Sequence, residues 1–177
     1  MLMRELYEKG IKYNEFLEEA DQKYRREFEK CYEDIKLSEK TLERIEKITE
    51  KIRVLVFAEP WCPDCIVSLP VLKKIAEING LIDFAILPRE GYEDFLEKYK
   101  YEGKPRIPTF IFLNEKYEEL GAFVEIPQML KDIYARGYQP DIIVARREYR
   151  QGKYSEVIAG DFLQIIEGSK KAGDGER

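Results

Sequence analysis

The sequence predicts an α/β fold: a mixed β-sheet flanked by helices, with extra helices at both ends. Three observations carry this. Short runs rich in Val, Ile and Phe alternate with helix-patterned segments between residues 53 and 137, in the order β-α-β-α-β-β-α. Residues 1–50 carry apolar side chains at helical spacing and no strand-like run. The chain has 177 residues and is 44% hydrophobic, enough for one domain with a sizeable core and extensions. These patterns divide it into a helical N-terminal extension (1–50), a sheet-containing unit (51–137) and C-terminal helices (138–168). The polar, glycine-containing tail (169–177) is expected to be disordered.

In the extension, Tyr13, Phe16, Leu17, Ala20, Tyr24, Phe28, Cys31 and Ile35 make one apolar stripe at i, i+3, i+4, i+7 spacing. A second helix starts at Ser38, a good N-cap residue, with Leu42, Ile45, Ile48 and Ile52 on one side. Both stripes need a cover. The sheet unit downstream is one candidate; a second copy of the chain, giving a homodimer, or a client protein is the other. "RVLVFA" (53–58) suits a buried central strand. The next helix runs from about Cys62 to Asn79, with Gly80 as its stop. "LIDFAIL" (81–87) is the second strand, and 91–101 reads as a helix with Tyr92, Phe95, Leu96 and Tyr99 inward. "PTFIFL" (108–113) is the third strand, and "NEKYEEL" turns into a fourth near 120–124. Pro127 opens a helix through Tyr134 that Gly137 stops. Neighbours joined through helices are expected to run parallel, and the last pair to form an antiparallel hairpin. "PDIIVARREYRQG" and "SEVIAGDFLQIIEG" supply two further helices.

Charged residues make up 37% of the chain, against roughly a quarter in typical domains, and the excess is Glu and Lys on helical segments, as on solvated faces. Net charge is −5 and no basic stripe is interleaved with aromatics, so nucleic acid is not an expected partner. "MLMRELYEKG" has no apolar core of signal-peptide length, and no window approaches the roughly 18 apolar residues of a membrane span. A soluble cytoplasmic protein is expected, without a membrane partner. A stable structural disulfide is not expected in that compartment, so a Cys-x-x-Cys pair there calls for reactivity or metal. The chain has no histidine, which removes Ser-His-Asp and Cys-His catalysis and Cys2His2 zinc. Its three cysteines cannot close a four-thiolate site alone, so no metal site is expected within one chain. Two chains pooling Cys62 and Cys65 is the remaining route to one. Cys31, inside the apolar stripe, reads as a buried inert residue, with a third redox thiol as the alternative.

The chemistry concentrates in "AEPWCPDC" (58–65). A strand feeding a helix here puts Cys62 at the helix N-terminus, where free N–H groups and the positive end of the dipole favour thiolate. The dipole, worth up to ~2 kcal/mol when partly buried, lowers a thiol pKa by up to about one unit. Cys65 lies three residues on, close enough to bridge, so a client disulfide attacked by Cys62 can be released by Cys65. Pro63 fits the first turn, where its missing N–H has no helical partner. Asp64 has two readings: a carboxylate suited to a helix start, or a charge that repels a nearby thiolate and partly offsets the dipole.

These residues resemble the thioredoxin superfamily. "WCPDC" after "VLVFA" is similar to its W-C-x-x-C active site, and Pro70 stands where that family's active-site helix carries a kinking proline. "RIPTFIF" (106–112) is similar to its I-P-T segment, 46 residues separating Cys62 from Pro108. The W-C-x-D-C form with a long helical N-terminus resembles a bacterial and archaeal subgroup. The resemblance covers about residues 50–137 and implies a thioredoxin-like fold. It further implies Cys62 as nucleophile, Cys65 as resolving thiol and a cis Ile107–Pro108 bond facing them. The Ile107 backbone would pair with an extended client segment, and Trp61 would form an exposed wall, a partly buried core aromatic being its other reading. No cofactor is implied beyond a redox-active Cys62–Cys65 disulfide; the implied partners are disulfide-containing client proteins and an electron donor. One position departs from the pattern: many thioredoxins carry a buried aspartate six residues before the first cysteine, where this chain has Val56. Glu59 either substitutes as a proton acceptor or is a solvated turn residue, and Arg106 either supports the Cys62 thiolate or points to solvent. The expected function is a thiol–disulfide oxidoreductase acting mainly as a reductant. The alternative is a protein-binding module of the same fold with incidental redox activity.

Overall fold

The structure, a computed structural model, describes the backbone of residues 2–173 and the side chains of residues 2–168. The chain begins with the helices α1 (Met3–Lys9), α2 (Tyr13–Glu19), α3 (Gln22–Glu33) and α4 (Glu39–Glu46), then enters β1 (Ile52–Phe57), α5 (Pro63–Ile78) and β2 (Ile82–Leu87). A single turn, α6 (Glu93–Leu96), leads to a small hairpin, β3 (Lys100–Tyr101) and β4 (Lys104–Pro105), then to β5 (Thr109–Leu113) and β6 (Glu119–Val124). The helices α7 (Gln128–Arg136), α8 (Gln139–Arg150) and α9 (Ser155–Gly173) follow. The tail expected to be disordered from 169 begins inside α9, and residues 174–177 lie outside the described residues.

The sheet is mixed, in the order β2-β1-β5-β6. β1 is central and covered on both faces, so its sequence is a continuous apolar run rather than an alternating one. β1 and β2 run parallel through the α5 crossover, and β5 and β6 form the antiparallel hairpin. β5 itself is antiparallel to β1, where helix-joined neighbours were expected to run parallel. The cause is the connection: α6 stops after one turn, and Glu102 and Gly103 at positive φ fold the chain back on itself. The helix expected over 91–101 is therefore cut short, though Leu96 and Tyr99 are buried as its pattern required. The chain never recrosses the sheet, and β5 starts opposite the end of β1, with Thr109 paired to Phe57. That register brings the residues before Thr109 beside the residues after Phe57.

Both faces of the sheet are filled. Val54 and Val56 pair with Phe112 and Phe110. On that face Phe162 of α9 lies 4.8 Å from Phe110, 5.4 Å from Phe112 and 5.0 Å from Phe123, ring centre to ring centre. The opposite face stacks Phe57 against Tyr92 and Phe95, and Arg53 over Tyr117.

The single N-terminal stripe is folded into separate helices. Arg25 ends α2 by donating from Nε to the Leu17 carbonyl and from a terminal nitrogen to that of Glu18, both at 2.9 Å. α3 packs on α5, while α1 and α2 pack on β2, so the stripe is covered by its own chain. The second helix starts at Ser38 as expected, its Oγ accepting from the Thr41 N–H. It ends at Glu46, and Ile52 belongs to β1. Asn79 sets both ends of this region: its Nδ2 donates to the Ile45 and Ile48 carbonyls, and its Oδ1 accepts from the Leu81 N–H. Asn79, not Gly80, is thus the C-cap of α5. Gly137 stops α7 in the left-handed region, φ 71°. Among the described residues no helix is long and apolar enough to cross a membrane.

Between α1 and α2 the chain meets the sheet. Ile11 exchanges both backbone hydrogen bonds with Ile86, each at 2.9 Å. A Cβ on Gly10 would sit 2.7 Å from Ala85 Cβ and 3.0 Å from the Ile86 nitrogen. Gly10→Ala is therefore expected to cost about 1–3 kcal/mol by overpacking. Urea unfolding checks this: the midpoint should fall at unchanged slope, and an unchanged midpoint would show the contact to be compliant.

Candidate active site

β1 delivers the chain to the turn 59–62, closed by the Cys62 N–H on the Glu59 carbonyl at 3.1 Å. Cys62 is the N-cap of α5 and Pro63 its first residue, a position that needs no N–H. Pro63 is exposed. The Glu59 carboxylate accepts from the Arg89 N–H at 2.9 Å and so anchors the turn to the β2–α6 loop.

Cys62 is 5% exposed and Cys65 fully buried; they lie 3.4 Å apart, and both are free thiols. They divide the proton unequally. The hydrogen bond from the Cys65 thiol holds Cys62 below the usual thiol range against the cost of burial, helped by the backbone N–H groups of Cys65 and Asp64. Burial pushes Cys65 well up, and its bond to Cys62 adds to this. The arrangement favours the anion on Cys62 over Cys65, with Cys65 as its proton-bearing neighbour.

As a thiol, Cys62 donates to the Ile107 carbonyl at 3.7 Å. The Ile107–Pro108 bond is cis and both residues are buried. Their loop is held by the Thr109 hydroxyl on the Arg106 carbonyl at 2.6 Å and by the Glu125 N–H on the Pro108 carbonyl at 2.8 Å. Trp61, 56% exposed, stands beside Cys62 in sequence and projects to solvent. Val56 is fully buried in β1.

Asp64 is not a helix cap. Its carboxylate, 14% exposed, pairs with an Arg150 guanidinium nitrogen at 3.1 Å. Burial raises the Asp64 carboxyl, while Arg150, the nearby Tyr149 and Arg106 pull it down. The Tyr149 hydroxyl is buried near Asp64 but makes no hydrogen bond of normal geometry. Arg106 sits with its Nε 3.9 Å from a Glu125 carboxylate oxygen and turns toward Asp64 and Glu125. Asp64, Arg106, Glu125 and Arg150, with Tyr134 and Arg146, line a groove of about 460 Å³. Cys31 is separate from the pair: half-buried, it donates to the Val67 carbonyl at 3.6 Å, and burial pushes its thiol up to about 11. Arg150, Tyr149 and Glu125 were not foreseen. α8 offers several arginines, and nothing in their spacing marks the one that reaches α5.

Comparison with known proteins agrees with this fold. The thioredoxin family model matches residues 10–142. The crystal structure of a protein of unknown function from Pseudomonas aeruginosa is similar, with 30% sequence identity and a TM-score of 0.85 over 96% of this chain and 99% of that one. An HIV epitope-scaffold is similar at 30% identity and a TM-score of 0.83, over 95% and 99% of the two chains. No sequence among the curated proteins matches the chain.

Proposed function

This chain belongs to the thioredoxin family, and from that premise we propose that it is a cytoplasmic thiol–disulfide oxidoreductase working mainly as a protein disulfide reductase. The observation that carries the reading is the asymmetry of the thiol pair: Cys62 lowered at a helix start, Cys65 buried and raised 3.4 Å away. The Cys62 thiolate attacks one sulfur of a client disulfide. That bond breaks, the other client sulfur leaves as a thiolate and takes a proton from solvent. Cys65 then loses its proton and attacks the Cys62 sulfur of the mixed disulfide. The second client thiol is released and Cys62–Cys65 is left as a disulfide, two electrons having passed to the client. An electron donor returns the pair to its dithiol form. The Ile107 backbone offers main-chain pairing to an extended client segment, which gives affinity with little sequence selectivity. Disulfide-containing proteins are the proposed clients.

Equilibration with glutathione buffers, followed by acid quenching and mass analysis of alkylated protein, tests this. Both thiols are expected to disappear together in one two-electron transition, within the range of ~−120 to −270 mV spanned by such pairs. Separate glutathionylation of single cysteines, or no transition, would refute the reading.

A further inference from the structure

We propose that Arg150 is a positioning residue for the redox pair: it holds the Asp64 carboxylate against α8 and offsets part of its charge, so that Asp64 opposes the Cys62 thiolate less. The inference rests on the thiol-exchange reading above and adds a residue from α8, beyond the strand and helix that carry the cysteines. Its starting point is a conflict in the sequence. Cys62 and Asp64 put two anions in the first turn of one helix, and both are attracted to the same few N–H groups. Cys62 holds the N-cap position, and no side chain caps the helix there. The Asp64 carboxylate is mostly shielded from water, which leaves its charge poorly screened from the sulfurs.

The charged and titratable groups facing Asp64 come from every element around it. Cys62 is the N-cap of α5 and Cys65 lies on it, Glu102 lies in the β3–β4 turn, Arg106 precedes β5, Glu125 follows β6, and Arg146, Tyr149 and Arg150 lie on α8. Arg106, Arg146 and Arg150 all line the groove with Asp64; Arg150 is in contact with the carboxylate at 3.1 Å, and Arg106 is shared with Glu125 at 3.9 Å. Glu125 is a further anion that draws on Arg106, so Arg106 offsets the Asp64 charge only in part. Tyr149, buried beside them with no hydrogen bond of normal geometry, carries no charge to give. Arg150 is the cation in direct contact with Asp64, and its removal leaves that carboxylate least compensated two residues from the nucleophile.

The sign follows. With Arg150 gone, a negative Asp64 raises the energy of a second negative charge on Cys62, and the Cys62 titration moves to higher pH. The test is the pH profile of Cys62 alkylation by iodoacetamide, read by peptide mass spectrometry. It needs no client and no turnover, so its failure is distinct from failure of the glutathione equilibrium. Arg150→Ala is expected to move the profile up by about 0.5–1 pH unit, slowing alkylation near neutrality by about 3–10-fold. Arg150→Lys should return most of that shift. In an Asp64→Asn background, Arg150→Ala should move the profile little, because no carboxylate is left to neutralise. Circular dichroism and urea midpoints confirm that each variant is folded. Coincident profiles for the wild type and Arg150→Ala would overturn the proposal, as would a Lys variant that behaves like Ala. A shift of equal size in the Asp64→Asn background would also overturn it, because Arg150 would then act on the thiolate without Asp64.

Discussion

A Cys62→Ser variant is expected to reduce insulin disulfides no faster than dithiothreitol alone, whereas Cys65→Ser should accumulate a stable mixed disulfide with its client. The two outcomes follow from the same pair of sulfurs. Serine at position 62 cannot form an anion near neutral pH, so the attacking group is lost outright. Cys65 cannot replace it, being fully buried and pushed well above the ordinary thiol range. Serine at position 65 keeps a hydroxyl that can still hydrogen-bond to the Cys62 sulfur, so Cys62 stays reactive. What disappears is the attack that releases the client. Turbidity of reduced insulin reads the first result, and non-reducing electrophoresis of an insulin or lysate mixture reads the second. Retained turnover in Cys62→Ser, or full turnover in Cys65→Ser, would contradict the mechanism. Capture of a partner that persists when both cysteines are replaced would point instead to a binding module.

Phe162→Ala is expected to destabilise the protein by about 3–5 kcal/mol, as large-to-small aromatic changes in cores do. Phe162 is fully buried and touches rings from both strands of the β5–β6 hairpin. Edge-to-face and tilted ring pairs add about 0.5–1.5 kcal/mol each beyond area burial, and Phe162 makes three of them, with Phe110, Phe112 and Phe123. Urea unfolding followed by far-UV circular dichroism gives the loss. As a control, Ile143→Ala on the exposed side of α8 should change stability by less than about 0.5 kcal/mol. A loss below about 1 kcal/mol for Phe162→Ala would mean that α9 is only loosely docked.

The strands were legible because burial on both faces leaves an unbroken apolar run, and β1, β2 and β5 all have one. The start of α5 was legible because Pro63 and Cys62 carry their meaning locally. The cysteines and the Ile107–Pro108 pair were legible for the same reason: each is a short contiguous motif, and strand register brings the two together. What escaped depends on distant partners. The break in the N-terminal stripe comes with Arg25 reaching back to α2, and ahead of the stripe Gly10 lies against Ala85 between α1 and α2. The apolar spacing of 91–101 is satisfied by one turn and a hairpin as well as by a helix, because Phe57 receives Tyr92 and Phe95 either way. The pairing of Asp64 with Arg150 joins residues far apart in the chain, and neither is unusual in its own neighbourhood.

The Ile11–Ile86 exchange bears on the chain's behaviour in a crowded solution. β2 is the outermost strand on its side of the sheet, and its backbone groups there would otherwise template another copy. The N-terminal segment occupies part of that rim, and Lys12 adds an ion pair to Asp83 beside it. A fragment beginning at residue 51 would bare Ile82–Leu87 as an apolar ladder open to cross-β polymerisation. The helical extension is in this sense a chaperone carried in cis, and trimming the protein to its thioredoxin-like unit would trade solubility for brevity.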